Sequence, residues 1–244
     1  YGETLNDEEL WTASEGFNPN ATITSLNNPK TMADYFLSSG KSTVTITAGT
    51  VGTKNGMYGT VGGLTIGSPT GMVFGGSRGK AAEDIGPLSP RYDFAPDFFL
   101  GYVNNTQVTI GNADGGPTIY SQVFGGGRDG HVRGSSHVII NNGTIGQEYN
   151  DAAGDTDDEK NYQRRHRGNV YGSGSGMGTW DGTHHGGSSG SVTRNSIVDI
   201  NGGTIYNNVY GGGAMASVGP PMITMPDFAP ASWSKCIVNI NGGI

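Results

Sequence analysis

The feature that most constrains this chain is a set of three short elements that recur in one order. The first, V-x-I, occurs five times, the second is V-[FY]-G and the third is G-x-V. A chain with such self-similarity is expected to fold as stacked copies of one unit. V-x-I begins at Val44, Val108, Val138, Val198 and Val238, V-[FY]-G begins at Val73, Val123, Val170 and Val209, and G-x-V ends at Val103, Val132 and Val192.

The length of the repeat favours strands over helices. Val198 and Val209 are 11 positions apart and Val123 and Val138 are 15 apart, so an uninterrupted repeat takes 26 residues, too few for two helices and their loops. Period-two alternation of β-branched residues, bounded by Gly and Asn, indicates short strands. Such strands bury their apolar side only when successive repeats stack. The sequence predicts an all-β parallel β-helix (β-solenoid), right-handed by the usual crossover preference, with three short strands per rung and four to five rungs.

The corners of this coil are expected to be rich in Gly and Asn, as in "NGGTIYNNVYGGG" at 201–213. Gly adopts positive φ without steric cost and leaves room for the rung above. In three rungs the residue after the Ile of V-x-I is asparagine: Asn141, Asn201 and Asn241. These side chains could form an amide ladder along the coil. The alternative is that Asn is present because it tolerates a left-handed corner.

Composition excludes several classes of protein. The 244 residues include 44 Gly and 11 Pro, with 14% charged and 34% apolar residues, which disfavours a helical bundle but suits a coil with a thin Val and Ile core. A net charge of −7 argues against a nucleic-acid partner, which calls for clustered Lys and Arg. The chain has no run of 18 apolar residues, so we predict no membrane-spanning segment within it.

Residues 1–40 differ from the repeats. "LNDEELWTASEGF" and "NPKTMADYFLSSG" predict two short helices, so this part is assigned as an N-terminal cap or a linker, and 41–244 as the β-helix domain. The final "NGGI" falls part-way through a rung, so the coil is expected to continue beyond it. The single cysteine, Cys236, lies two positions before Val238 and is predicted to point inward as a small core residue.

Long inserts interrupt the repeat at two kinds of corner. Three follow V-[FY]-G, at roughly 77–101, 173–190 and 214–234, and others lie between Ile145 and Val170 and between Gly52 and Gly71. Equivalent corners stack, so the first set is predicted to share one flank, which is often the binding face of repeat proteins.

Two of these inserts contain the tetrapeptide D-F-A-P, at Asp93–Pro96 and at Asp227–Pro230. Their aromatic residues are expected either to fold back over the coil or to form a surface that holds a sugar chain or a partner protein. The candidate binding residues are Tyr92, Phe94, Trp180, His184, Phe228 and Trp233.

Metal binding is weakly indicated. The insert after Ile145 is acidic and then basic, and Ca²⁺ candidates in it are Asp151, Asp155 and Asp157. The insert lacks the spacing of an EF-hand and of the calcium-binding nonapeptide, so a solvated, self-paired loop is favoured. His184 and His185 are adjacent and diverge on an extended chain, which disfavours a shared transition metal. No other cofactor is predicted.

Catalytic chemistry is also weakly indicated. Glycoside hydrolysis needs two carboxylates facing each other across a cleft, and Asp199 is the one acidic residue on the repeated strands. No catalytic residue is therefore assigned. A polysaccharide lyase or glycoside hydrolase stays as an alternative, because a β-helix by itself does not fix function.

Tandem units of the form V-x-I-N-G-G-T-I-x-x-N-V-Y-G-G-G resemble the Gly-rich repeats of secreted bacterial surface proteins of the parallel β-helix, autotransporter-passenger and filamentous-adhesin kind. The resemblance covers roughly residues 41–244. It implies an extracellular or bacterial cell-surface location and a role as adhesin or structural stalk with a glycan or protein partner. It implies no catalytic residues. A second alternative is self-association of open solenoid ends into a filament.

Overall fold

A computed structural model describes residues 40–54, 70–79, 103–148, 167–176, 190–219 and 234–243. The N-terminal segment for which two helices were predicted lies outside these ranges. The described residues form thirteen strands, which are β1 (Lys41–Ile46), β2 (Thr50–Val51), β3 (Val73–Phe74), β4 (Asn105–Ile110), β5 (Thr118–Ile119), β6 (Val123–Phe124), β7 (Ser136–Ile140), β8 (Thr144–Ile145), β9 (Val170–Tyr171), β10 (Ser196–Ile200), β11 (Thr204–Ile205), β12 (Val209–Tyr210) and β13 (Cys236–Ile240).

The strands stack into three parallel sheets, each built from one sequence element. Sheet A has the order β1-β4-β7-β10-β13, sheet B has β2-β5-β8-β11 and sheet C has β3-β6-β9-β12. The repeats pair without slippage, so that Val108 lies between Val44 and Val138. A row of single parallel bridges joins Val103, Val132, Val192 and Val218 at the position of the G-x-V element. The predicted parallel β-helix of about four rungs is confirmed.

The core is a narrow column of β-branched residues. In β7 and β10 burial alternates strictly, so that every second side chain points into the coil and its neighbours point out. This alternation is the period-two pattern of a strand with one buried face. The buried cluster consists of Val73, Val108, Ile110, Ile119, Val123, Val138, Ile140, Ile145, Val170, Val198 and Ile200.

Sheets A and C approach closely at their backbones, and small residues make this possible. Ser136 Oγ donates a hydrogen bond to the carbonyl oxygen of Gly172, and Ser196 Oγ donates to that of Gly211. A Cβ on Gly125 would lie 2.9 Å from Val138 Cγ2 of sheet A and would overlap the Gly172 carbonyl oxygen of the next rung. The glycine of V-[FY]-G is therefore required by packing inside the coil.

The corner between sheets A and B contains the predicted amide ladder. Asn201 Nδ2 donates to Asn141 Oδ1 at 3.0 Å, and Asn241 Nδ2 donates to Asn201 Oδ1 at 2.9 Å. The positive φ of this turn falls on glycine, with values of 106° at Gly143 and 87° at Gly203. Asparagine thus supplies the cross-rung hydrogen bonds, while glycine supplies the left-handed conformation.

Cys236 corrects one prediction. Cys236 pairs in register with the completely buried Ser196, so its side chain points inward, as predicted. Its side chain is nevertheless exposed, because β13 is the last strand of sheet A within the described residues and no strand lies over it. Partial burial still raises the pKa of the Cys236 thiol above its ordinary value.

Candidate functional site

Pairs of glycines close the base of the inserts between sheets B and C. In the first rung a Cβ on Gly52 would lie 2.5 Å from the Cα of Gly71, and in the third rung a Cβ on Gly146 would overlap Gly168 in the same way. The chain thus leaves the coil and returns to it at one point. We call these two pairs the B–C necks.

Rungs without an insert show which backbone positions the glycines of a B–C neck occupy. Gly168 N donates to Ser121 O at 2.8 Å, and Asn207 N donates to Gly168 O at 3.2 Å. The adjacent residues Tyr120 and Ser121 of the second rung therefore occupy the positions that Gly146 and Gly168 occupy in the third. Residues 147–167 are inserted between two neighbouring positions of the repeat, and the hydrogen bonds of the coil continue past them.

A similar neck lies after sheet C. Gly176 N donates to Arg128 O at 2.7 Å and Gly190 N donates to Asp129 O at 2.9 Å. Arg128 and Asp129 are consecutive in the second rung, so 177–189 is again inserted between two neighbouring positions. In the first rung Gly79 lies on the same column, since a Cβ there would overlap the backbone at Gly130. The corner after sheet C therefore carries inserts in the first and third rungs.

The insert of the fourth rung begins later than the sequence suggested. Met215 N donates to Ser175 O at 2.8 Å, and Val218 forms a parallel bridge to Val192, so 214–219 stay on the coil. The chain leaves after Gly219, at the next corner, and not on the flank of the other two inserts. The element was missed because Ala216 replaces the glycine of G-x-V before Val218.

The residues singled out from the sequence as binding candidates fall within the inserts. All of them lie outside the described residues, and so do the Ca²⁺ candidates. They are Tyr92, Phe94, Trp180, His184, Phe228 and Trp233 for binding, and Asp151, Asp155 and Asp157 for calcium. What the described residues define is the point of the coil from which each insert leaves.

An aromatic ladder runs along sheet C. The rings of Phe74, Phe124, Tyr171 and Tyr210 stack in that order with centroid distances of 4.8, 4.8 and 4.9 Å and interplanar angles of 4° to 8°. Val123 belongs to the core, so strand alternation directs Phe124 to the other side of the sheet, and yet Phe124 is completely buried. The V-[FY]-G element was identified from the sequence, but the stacking of its aromatic rings was not predicted. The signal for it was the aromatic residue at the second position of every copy.

Exposure increases towards one end of the aromatic ladder. Tyr171 is 9% exposed and Tyr210 is 43% exposed. Burial, with a smaller effect of the neighbouring Tyr210, raises the pKa of Tyr171 to about 12. Tyr171 therefore stays a neutral, hydrogen-bond-competent phenol over the physiological pH range.

The outward face of sheet A carries a histidine–aspartate pair. His137 Nε2 lies 2.6 Å from Asp199 Oδ2, and Asn239 Nδ2 donates to Asp199 Oδ1 at 2.7 Å. The hydrogen bond from Asn239 lowers the pKa of Asp199 below its ordinary value, and the hydrogen bond and charge of His137 add to this effect against partial desolvation. This His137–Asp199–Asn239 chain links three rungs.

The described strands carry few ionisable side chains. Asp199 is the one carboxylate among the thirteen described strands, whereas glycoside hydrolysis uses two. Among the described residues no group of three or more His, Cys, Asp or Glu side chains gathers as metal ligands would. The hydrogen bonds of His137, Asp199 and Asn239 join three rungs, and protonation of the Asp199 carboxylate would weaken them.

A further ladder at the entry to sheet A was not expected from the sequence. Asn105 Oδ1 accepts from Ser135 N at 2.9 Å, Ser135 Oγ accepts from Asn195 N at 3.2 Å, and Asn195 Oδ1 accepts from Lys235 N at 3.0 Å. Each side chain bonds the backbone amide one rung further along. The signal was Asn or Ser three positions before the Val of V-x-I, and its effect is to anchor the start of each strand.

Comparison of the chain with protein-family models, with curated protein sequences and with solved structures found no match in any of the three. Within the described ranges there is also no helix long and apolar enough to cross a membrane.

Proposed function

We propose that this chain is a non-catalytic β-helix stalk or adhesin, secreted or displayed on a bacterial surface, whose inserts bind a glycan or a protein partner. The observation that carries the proposal is the glycine neck. Each neck opens the coil between two adjacent positions and closes it again, so an insert of any length leaves the stacking unchanged.

The physical logic concerns rigidity and reach. Backbone hydrogen bonds, the asparagine ladder and the aromatic ladder all run along the coil axis, with a rise of ~4.8 Å per rung. Such a stack is stiff and extended, while long loops at its corners are tolerated because the entropic cost of loop closure rises slowly with length. Display of loops on a rigid support fits adhesion better than turnover.

The necks also provide the experiment. Removing 177–189 joins Gly176 directly to Gly190 and deletes Trp180 and His184, while removing 53–70 joins Gly52 to Gly71 and deletes none of the candidate binding residues. Both variants are expected to keep the coil, because the second rung closes each corner without an insert. The pair separates loss of binding from loss of fold.

The full chain, both excision variants, Trp180→Ala and Trp233→Ala are applied to a glycan array and to acidic and neutral polysaccharides, with retention and release of reducing or unsaturated ends recorded. We expect retention without release, unaffected by removing 53–70 and lost in the 177–189 excision or in a tryptophan variant. Release of products would overturn the non-catalytic proposal in favour of a lyase or hydrolase. No retention, together with concentration-dependent elongation in light scattering, would favour a self-assembling filament.

A further inference from the structure

Asn-Gly dipeptides occur at the corner between sheets A and B, and their hydrogen bonds differ from one rung to another. Asn142-Gly143 lies in the turn between β7 and β8, Asn201-Gly202 lies between β10 and β11, and Asn241-Gly242 follows β13. In such a pair the glycine backbone nitrogen can attack the asparagine side-chain carbonyl carbon. Whether this takes place depends on where the nitrogen and the amide are held.

In two of the pairs the asparagine amide and the glycine nitrogen each hydrogen-bond to a neighbouring rung. The Asn201 amide donates to Asn141 and accepts from Asn241. The nitrogen of Gly202 points to the preceding rung, where it donates to Ile140 O at 3.3 Å. Gly242 N likewise donates to Ile200 O at 3.2 Å, and the Asn241 amide is bonded to Asn201.

The third pair has the opposite arrangement. Gly143 N lies 2.8 Å from Asn142 Oδ1, so the nitrogen faces the side-chain amide of the residue before it. Asn142 is partly exposed, which admits water. Gly143 has a φ of 106° and no side chain to shield its nitrogen. The hydrogen bond from Gly143 N to Asn142 Oδ1 holds the side-chain carbonyl group beside the attacking nitrogen, so less ordering is needed before the two groups react.

We infer that Asn142 is a spontaneous deamidation site in the folded protein. Gly143 N gives up its proton to water or hydroxide and attacks Asn142 Cγ, forming a C–N bond. The bond from Cγ to the side-chain nitrogen breaks, and ammonia leaves with a proton from water. The resulting succinimide is opened by water at either carbonyl, which leaves aspartate or isoaspartate at position 142.

The site lies where the coil has little room for the product. A Cβ on Gly116 would lie 2.5 Å from the Asn142 carbonyl carbon, and a Cβ on Gly143 would lie 2.6 Å from Pro117 O. Isoaspartate places an extra methylene in this stretch of backbone, and both products add a negative charge. The reaction therefore loosens the turn of the third rung against the second.

The test is peptide mapping by mass spectrometry of the intact chain after incubation at neutral pH, once under folding conditions and once in denaturant. In the folded chain we expect Asn142 to gain the mass of the amide-to-acid conversion roughly tenfold faster than Asn201 and Asn241. In denaturant, where sequence alone acts, the three rates should converge. Fragmentation that distinguishes isoaspartate from aspartate identifies the succinimide route.

Two results would overturn the inference. One is equal or slower conversion at Asn142 than at Asn201 in the folded chain. The other is a preference for Asn142 that persists unchanged in denaturant, because it would then come from the local sequence. Asn55-Gly56 lies outside the described residues and carries no expectation.

Discussion

The ring of Phe124 lies parallel to the ring of Tyr171, with 4.8 Å between their centroids and 4° between their planes. The two residues are 47 positions apart in the sequence, and a whole insert lies between them. Their spacing equals the distance between adjacent strands of a sheet, ~4.8 Å. The aromatic ladder therefore reports directly that the rungs stay in register across the insert.

Replacing Phe124 with alanine should be strongly destabilising. The ring is completely buried and stacks on two neighbours, and such substitutions cost about 3–5 kcal/mol. Tyr210→Ala is the matched control, because Tyr210 stacks on one neighbour and is 43% exposed, so its loss should cost about 1 kcal/mol. Urea unfolding of both variants measures the difference. Equal costs would mean that the stacking does not stabilise the coil.

Gly125→Ala tests the close approach of sheets A and C. The new Cβ would overlap the Gly172 carbonyl oxygen of the next rung and lie 2.9 Å from Val138 Cγ2 of sheet A, and both of these atoms have little freedom to move. We expect a loss of about 3 kcal/mol or failure to accumulate as folded protein. Gly40→Ala is the control, since a Cβ there meets nothing within 4 Å. Circular dichroism and thermal unfolding distinguish the two, and a native-like Gly125→Ala would contradict the packing described above.

The asparagine ladder predicts a graded effect. Asn201 makes two side-chain hydrogen bonds within it and Asn241 makes one. At about 0.5–1 kcal/mol for each exposed bond, Asn201→Ala should lower the free energy of unfolding about twice as much as Asn241→Ala. The measurement is the urea midpoint of each variant. Identical shifts would show that position in the turn, and not the ladder, determines the cost.

The pH dependence of stability should contain a contribution from Asp199. Its pKa in the folded state lies below its ordinary value, because Asn239 and His137 stabilise the carboxylate. In the unfolded chain the carboxyl binds a proton more readily, so the stabilisation is fully present above the unfolded pKa. It is lost as the pH falls from about 4 through the folded pKa.

Asp199→Asn removes this titration while keeping the shape of the side chain. Its free energy of unfolding should be lower than that of the original chain at neutral pH, and the two should converge as the pH falls below about 4. Chemical denaturation at a series of pH values measures the curves. A constant difference at all pH values would show that Asp199 acts only through packing.

Much of the fold could be predicted from the sequence because the same positions recur. Val44, Val108 and Val138 occupy the same position in three successive strands, each two residues before an Ile. A parallel stack of these strands buries all of these side chains together. The same logic allowed an asparagine ladder, since equal positions in successive rungs come to lie one above another, but it left a left-handed corner as the alternative. This argument gave no position for the candidate binding residues, because the inserts share no repeated pattern apart from D-F-A-P.

Other features depend on contacts that the repeat does not specify. His137 reaches Asp199 although its register partner is Ile197, so the pair joins neighbouring columns and depends on side-chain reach across the sheet. The exposure of Cys236 depends on what lies over its strand, while its sequence position fixes only its direction.

The sequence by itself determined the period, the parallel pairing and the inward and outward faces, because each of these follows from translation of one unit along an axis. The tertiary structure decided between which two residues the coil opens for each insert. Gly146 and Gly168 are distant in sequence, and they form a neck because two neighbouring rungs without inserts hold that corner closed above and below them.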